Sequence, residues 1–442
     1  NSIVNGFVSG AFSALNNENS NFNQNEVIIS DNVTINGFVS AAYANYGGNL
    51  NNNKINIKGN SVVNGFVSGT FSAASNKNSN FSQNEVTIGG NTVISGFVSA
   101  VYAISDGNLN NNKITINDNA TINYIQTVFA NGSGNITANE LIINDGNVNE
   151  SAFNILNNND NSIITGNLSA NKLIMNNGYI GRDILNIQNN GIGDLTENKL
   201  TINNGNIGRY VVNIQKFSRN GDLSTNELII NNGYIGGYVV NIQNNSIGNL
   251  TENKLTINNG NIGENVANIQ KTSDGNLTEN ELIINNGNIN ESVFNILNKN
   301  NNSIITGNLT ANKLIMNNGR IGRDIFNIQN NGIGDLTENK LTINNGNVGR
   351  NVVNIQKFSN GDLTANELII SNGNIGGYVV NIQNNSIGNL TKNKLTINNG
   401  NISGNIANIQ KTNDGNLTEN ELIINNKNVN GNVFNILNNN DN

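Results

Sequence analysis

A chain that repeats itself every 27 to 32 residues does not need one closed core, because stacked copies of a single supersecondary unit can bury a core that grows coil by coil. The unit reads NKLTINNGNIGRYVVNIQ over 198–215, and everything from Asn135 onward belongs to a copy of it. The leading amide or acid of its LT turn recurs at Asn135, Asn167, Asp194, Asp222, Asn249, Asn276, Asn308, Asp335, Asp362, Asn389 and Asn416. The first five intervals are 32, 27, 28, 27 and 27, and the same order then begins again. A super-repeat of five coils results: 135–275 matches 276–415 almost residue for residue, apart from one residue lost near Phe358, and 416–442 starts a third copy. Residues 1–134 are a variant region marked by NGFVS at Asn5, Asn36 and Asn64 and SGFVS at Ser95. Both ends of the sequence fall inside a coil, so a longer solenoid is expected.

Within the unit, Leu200 and Ile202 alternate with Thr201 and Asn203, the period of a strand with one buried face. The NNG at 203–205 is expected to turn that strand, since Asn and Gly tolerate a positive φ. A second strand is expected through IGRYVVNIQ and a short third segment through the LT turn. Strands joined this way run parallel with right-handed crossovers. The predicted fold is therefore all-β: a right-handed parallel β-helix, or β-solenoid, of about fifteen coils with 27–32 residues each.

Composition narrows the chemistry. The 442 residues include no Cys, His, Pro or Trp, and the apolar residues are mostly β-branched. Without His or Cys there is no triad, no thiol nucleophile and no soft metal site, so no cofactor or metal is expected. A carboxylate pair, as in β-helical glycosidases, is the one chemistry left, and no coil has a distinct acidic cluster. A net charge of −7 argues against nucleic acid as a partner. No apolar stretch reaches the roughly 18 to 20 residues that span a bilayer.

Equivalent positions in successive coils lie about 4.8 Å apart, so each column of the repeat becomes a ladder. Glu26, Lys54, Glu85, Lys113 and Glu140 begin a charged column that continues through Lys172, Lys199, Glu227, Lys254, Glu281, Lys313, Lys340, Glu367 and Lys394 to Glu421. It reads as a salt-bridge ladder in which Glu197 and Glu338 compensate the like pairs Lys172–Lys199 and Lys313–Lys340. An Asn column, including Asn154, Asn186, Asn213, Asn241 and Asn268, is expected to chain its amides along the axis, with Gln188, Gln215 and Gln243 two residues later. Phe7, Phe38, Phe66 and Phe97 should stack on one another, as should Phe12, Tyr43, Phe71, Tyr102 and Phe129, giving this region its own core style. Ile142, Ile174, Ile229 and Ile283 fall on the outward side and form a candidate interaction face, to which Tyr179, Tyr210, Tyr234 and Tyr238 could add sugar-stacking rings. Exposed β-branched residues also simply favour strands, so the bland reading of the Ile column has equal standing.

At NGFVSGAF, NEVTI and NKLTINNG the sequence resembles the passenger domains of Gram-negative autotransporters, and this resemblance of pattern covers the whole chain. It implies export across the outer membrane, a carboxy-terminal membrane barrel that this sequence does not contain, and adhesin roles. The expected function is thus a non-enzymatic cell-surface or secreted solenoid, most simply the stalk or display region of an adhesin. Its fifteen coils would extend roughly 70 Å. The alternative is an extracellular fibre or matrix protein whose solenoids join end to end or side by side. The expected partners are the chain itself, or a protein or glycan on a host or neighbouring cell.

Overall fold

The computed structural model describes residues 2–13, 21–45, 48–72, 79–104, 106–157, 165–217, 220–298, 305–425 and 427–438. Among them every regular element is a strand, and every pairing between strands is parallel. The chain forms two compact units, Asn1–Ser218 and Arg219–Asn442, each a β-solenoid of stacked coils. This division does not coincide with the change of repeat type after residue 134.

Each coil contributes three faces, illustrated by the coil that carries the unit sequence. The first face is Lys199–Ile207, the second Val211–Lys216, and the third the two-residue strand Leu195–Thr196. Seven first-face strands stack in the first unit, from Glu26–Ile29 to Lys199–Ile207, and eight in the second, from Glu227–Ile235 to Glu421–Ile424, giving fifteen. Register is strict, as in Glu140↔Lys172, Leu141↔Leu173, Ile142↔Ile174 and Ile143↔Met175. Leu200 and Ile202 are fully buried while Thr201 is not, because β-strand side chains alternate and only one face meets the core.

The second face departs from alternation. In Val211–Lys216 the residues Val211, Val212, Asn213 and Ile214 are all buried, and the pairing with the coil before it skips the Asn. The register is the same on both sides of the Asn, and the break in alternation turns a polar side chain inward next to an aliphatic one.

Two sequence expectations need correction. The NNG motif keeps the expected positive φ at Gly178 and Gly319, and at Asn372 of its SNG variant, but it is not a general tight corner: six first-face strands, among them Lys199–Ile207 and Lys254–Ile262, run through it unbroken. Gly205 is there for packing, since a Cβ on it would lie 2.6 Å from the Met175 sulfur. The left-handed residue is the one after the LT pair: Ala138, Ala170, Glu197, Thr225, Glu252, Glu279, Ala311, Glu338, Ala365, Lys392 and Glu419 all have φ between 53° and 58°. None of these residue types announces such a corner.

The aromatic columns are not a core. Phe38, Phe66, Phe97, Tyr43, Phe71, Tyr102 and Phe129 are all half-buried, and the interior of the same coils is mostly aliphatic, as at Val39, Ile57 and Val63, with Phe81 as a buried ring.

Candidate functional site: ladders and a groove

The organised chemistry of this chain lies in columns of like side chains, and their geometry separates those that hold the fold from those that face solvent. The Asn column is inside. Asn186 donates through Nδ2 to Asn213 Oδ1 at 2.9 Å, and in the second unit Asn241 to Asn268 (2.9 Å) and Asn268 to Asn295 (3.0 Å) continue the pattern. The second N–H of each amide goes to the main chain, for example Asn268 to the Glu281 carbonyl at 3.0 Å. All four of these residues, Asn186, Asn213, Asn241 and Asn268, are fully buried. Burial makes each bond consequential, because a buried amide left unpaired costs about 1–3 kcal/mol.

A second buried amide ladder escaped the sequence reading. It is the Asn just before the charged column: Asn84, Asn112, Asn139, Asn171 and Asn198 in the first unit, each donating to the next at 2.9 or 3.0 Å. Asn226, Asn253, Asn280, Asn312, Asn339, Asn366 and Asn393 repeat it in the second unit. Its signal was the Asn of every NKL and NEL motif, hidden by an Asn-rich background.

The charged column pairs in one direction. Each ion pair runs from a Lys to the Glu of the following coil: Lys54–Glu85 (3.7 Å), Lys113–Glu140 (2.9 Å), Lys254–Glu281 (3.0 Å), Lys340–Glu367 (2.7 Å) and Lys394–Glu421 (3.0 Å). Glu26 lies in register with Lys54 at the start of the column. The expected compensation by Glu197 and Glu338 does not occur as an ion pair: both occupy the left-handed turn position, and among the described residues neither Lys172 nor Lys313 has a carboxylate within 4 Å. These pairs are half-exposed, so each contributes about 0–1 kcal/mol.

Four lysines lie inside, at the end of the second face, at positions that no motif marks. Lys216, Lys271, Lys357 and Lys411 are at most 1% exposed. Each ammonium donates to two carbonyls of the preceding coil: Lys216 to Gly191 and Gly193 (both 3.0 Å), and Lys271 to Ser246 and Gly248 (both 3.0 Å). Lys357 and Lys411 use Gly332 with Gly334 and Ser386 with Gly388. Burial lowers the pKa of Lys216, Lys271 and Lys357 to about 8, against the opposing pull of nearby Asp194, Asp274 with Asp222, and Asp335. In the coil before each, an Asn folds its own turn instead, as Asn244 Oδ1 accepts from the Ser246 amide at 2.9 Å.

The aromatic columns stand on the surface of the first unit. Phe7, Phe38, Phe66 and Phe97 stack with centroids 4.7–5.0 Å apart and planes within 4°. Phe12, Tyr43, Phe71, Tyr102 and Phe129 form the neighbouring stack, and Phe38 with Tyr43 (5.5 Å) and Phe66 with Phe71 (5.1 Å) join the two. Ring faces are spent on one another, so edges meet solvent between coils. The outer column continues in register as Leu156, Gln188 and Gln215.

Ile142, Ile174, Ile229 and Ile283 point outward but are half-buried, each covered by its column neighbours, as in Ile142↔Ile174 and Thr256↔Ile283. Tyr179 and Tyr234 are 48% and 57% exposed, whereas Tyr210 and Tyr238 are half-buried and Arg209 sits 4.7 Å over the Tyr210 ring.

Near the end of the first face of the second unit, Arg320, Asn347, Asn374 and Asn401 make an exposed column. Beside it runs a hollow of about 270 Å³ floored by Gly349, Gly376 and Ser403, and a second of about 620 Å³ continues it past Asn428 and Asn430. Among the described residues no group of three or more acidic side chains is placed to hold a metal, and no helix is long and apolar enough to cross a membrane. No family model, no curated protein and no solved structure matches this chain.

Proposed function

We propose that this chain is a length-setting, non-enzymatic stalk or display region of a bacterial cell-surface adhesin, exported in the manner of the autotransporter passengers it resembles. The observation that carries this reading is the way the polar side chains are used. In coil after coil, buried amides and buried lysines bond to the neighbouring coil, and 276–415 repeats 135–275 almost unchanged. Such repetition adds coils without diversifying a site. Removing 135–275 joins Gly134 to Asn276, in the same register as the native Gly134–Asn135 junction. Producing cells with this deletion should keep their adhesion, with the purified deletion protein still β-rich by circular dichroism. Loss of adhesion by a folded deletion protein would place the binding function inside the stack and remove the stalk reading.

The surface aromatic columns of the first unit support a second reading, lateral self-association into a fibre or matrix. Ring edges along Phe38, Phe66 and Phe97 and along Tyr43, Phe71 and Tyr102, half-buried in coil after coil, form an apolar strip suited to another flat face. Sedimentation of the protein at rising concentration separates the two: a constant monomer mass excludes the fibre.

A further inference from the structure

We infer that the exposed amide column Asn347–Asn374–Asn401, with Arg320 at its head, is a binding groove for an extended, neutral, hydroxyl-rich polysaccharide. The carboxamides are already aligned: Asn374 Nδ2 donates to Asn347 Oδ1, and Asn401 Nδ2 to Asn374 Oδ1, both at 2.9 Å. Within the ladder, Asn374 spends one of its two N–H groups and one acceptor position of its oxygen. One donor and one acceptor per coil thus remain to face solvent, repeated at the coil spacing of about 4.8 Å.

The trough beside the column follows from coil stacking. A Cβ on Gly349 would lie 2.2 Å from the Gly322 carbonyl oxygen, and one on Gly376 the same distance from that of Gly349, so these positions admit no side chain. The glycines alone specify no ligand. The ligand class comes from what lines the trough: the carboxamides of Asn347, Asn374 and Asn401 with Ser403, one cation, Arg320, no carboxylate, and the aliphatic Ile321, Val348 and Ile375 against which a sugar ring can lie.

Three occupants are distinguished by this geometry. An extended peptide rises about 3.4 Å per residue and would fall out of step with the amides. Nucleic acid is disfavoured by the net charge of −7. A linear glycan repeats at about the length of one sugar ring, and its hydroxyls are donor and acceptor at once, which matches one free N–H and one free oxygen site per coil. In register with this column, earlier coils of the second unit carry Tyr234, Asn261 and Asn288, groups that also suit sugar rings and hydroxyls. The inference is independent of the stalk reading, since the groove lies outside 135–275.

The test titrates cellohexaose and chitohexaose into the full chain by isothermal calorimetry, alongside the triple variant Asn347→Leu, Asn374→Leu, Asn401→Leu. All three residues are exposed, so the variant should keep its circular dichroism and melting temperature, and the single variant Asn374→Leu provides a milder second case. The expected result is saturable binding of at least one oligosaccharide with a Kd on the order of millimolar or tighter, weakened at least about tenfold in the triple variant. No binding of either sugar, or binding unchanged in the folded triple variant, overturns the proposal. Self-association that the triple variant abolishes would assign the column to a second copy of the chain and overturn it as well.

Discussion

At the residue scale the turn after each LT pair is where the local sequence and the fold disagree. An L-residue in the left-handed region costs roughly 1 kcal/mol, and only Asn and Gly relieve that cost at their own backbone. Thr225, at φ 53°, is the least suited, being β-branched. Its amide bonds the Thr251 carbonyl at 3.0 Å and its side chain is exposed, so Thr225→Asn changes only the conformational term. Denaturant unfolding should show a gain of up to about 1 kcal/mol, and a loss would mean that the threonine has a packing role. The buried lysines make a second prediction. The folded pKa of Lys271 is about 8, below the ordinary 10.5, so between those values the unfolded chain holds more protons and stability rises with pH. Below about 8 the cost of burying the charge is present in full, while the neutral amine keeps two hydrogens for its two carbonyls. Relative to Lys271→Met, the native chain should gain about 1–2 kcal/mol from pH 7.5 to pH 10. Parallel stability curves would contradict this, and the window stops at 10 because the gain levels off above the ordinary value of 10.5.

At the element scale the buried amide is the unit of strand pairing. Asn268 accepts from Asn241 and donates to Asn295 and to the Asn253 and Glu281 carbonyls, so Asn268→Leu removes all four of these bonds at once. A loss of about 2–4 kcal/mol is expected in thermal or denaturant unfolding, and a neutral effect would show that the ladder is replaceable by apolar packing. Ile202 pairs with Met175 and is fully buried, so Ile202→Asp places an unpaired charge between coils and should unfold that part of the first unit, read as local loss of hydrogen-exchange protection. Alternation revealed Leu200 and Ile202, and column spacing revealed the ring stacks, because both depend on periodicity alone. The left-handed Glu197 and the buried Lys271 were hidden, because their conformations are imposed by the coil before and after and not by their own chemistry. The groove was hidden for a related reason: it depends on which outward column borders side-chain-free positions, and an Asn there looks like any other Asn.

At the scale of the whole molecule, near-identical coils set reach by their number. Charge pairs on the surface contribute little, whereas the interior ladders specify register, because a slip by one residue turns each buried Asn out and each half-exposed Ile or Thr in. A module cut at equivalent positions should therefore leave every ladder continuous. The most direct measurement is electron microscopy of producing cells that display either the native chain or the 135–275 deletion. The account predicts projections shorter by five coils, roughly 24 Å, and otherwise unchanged; projections of unchanged length, or their collapse into aggregates, would contradict it.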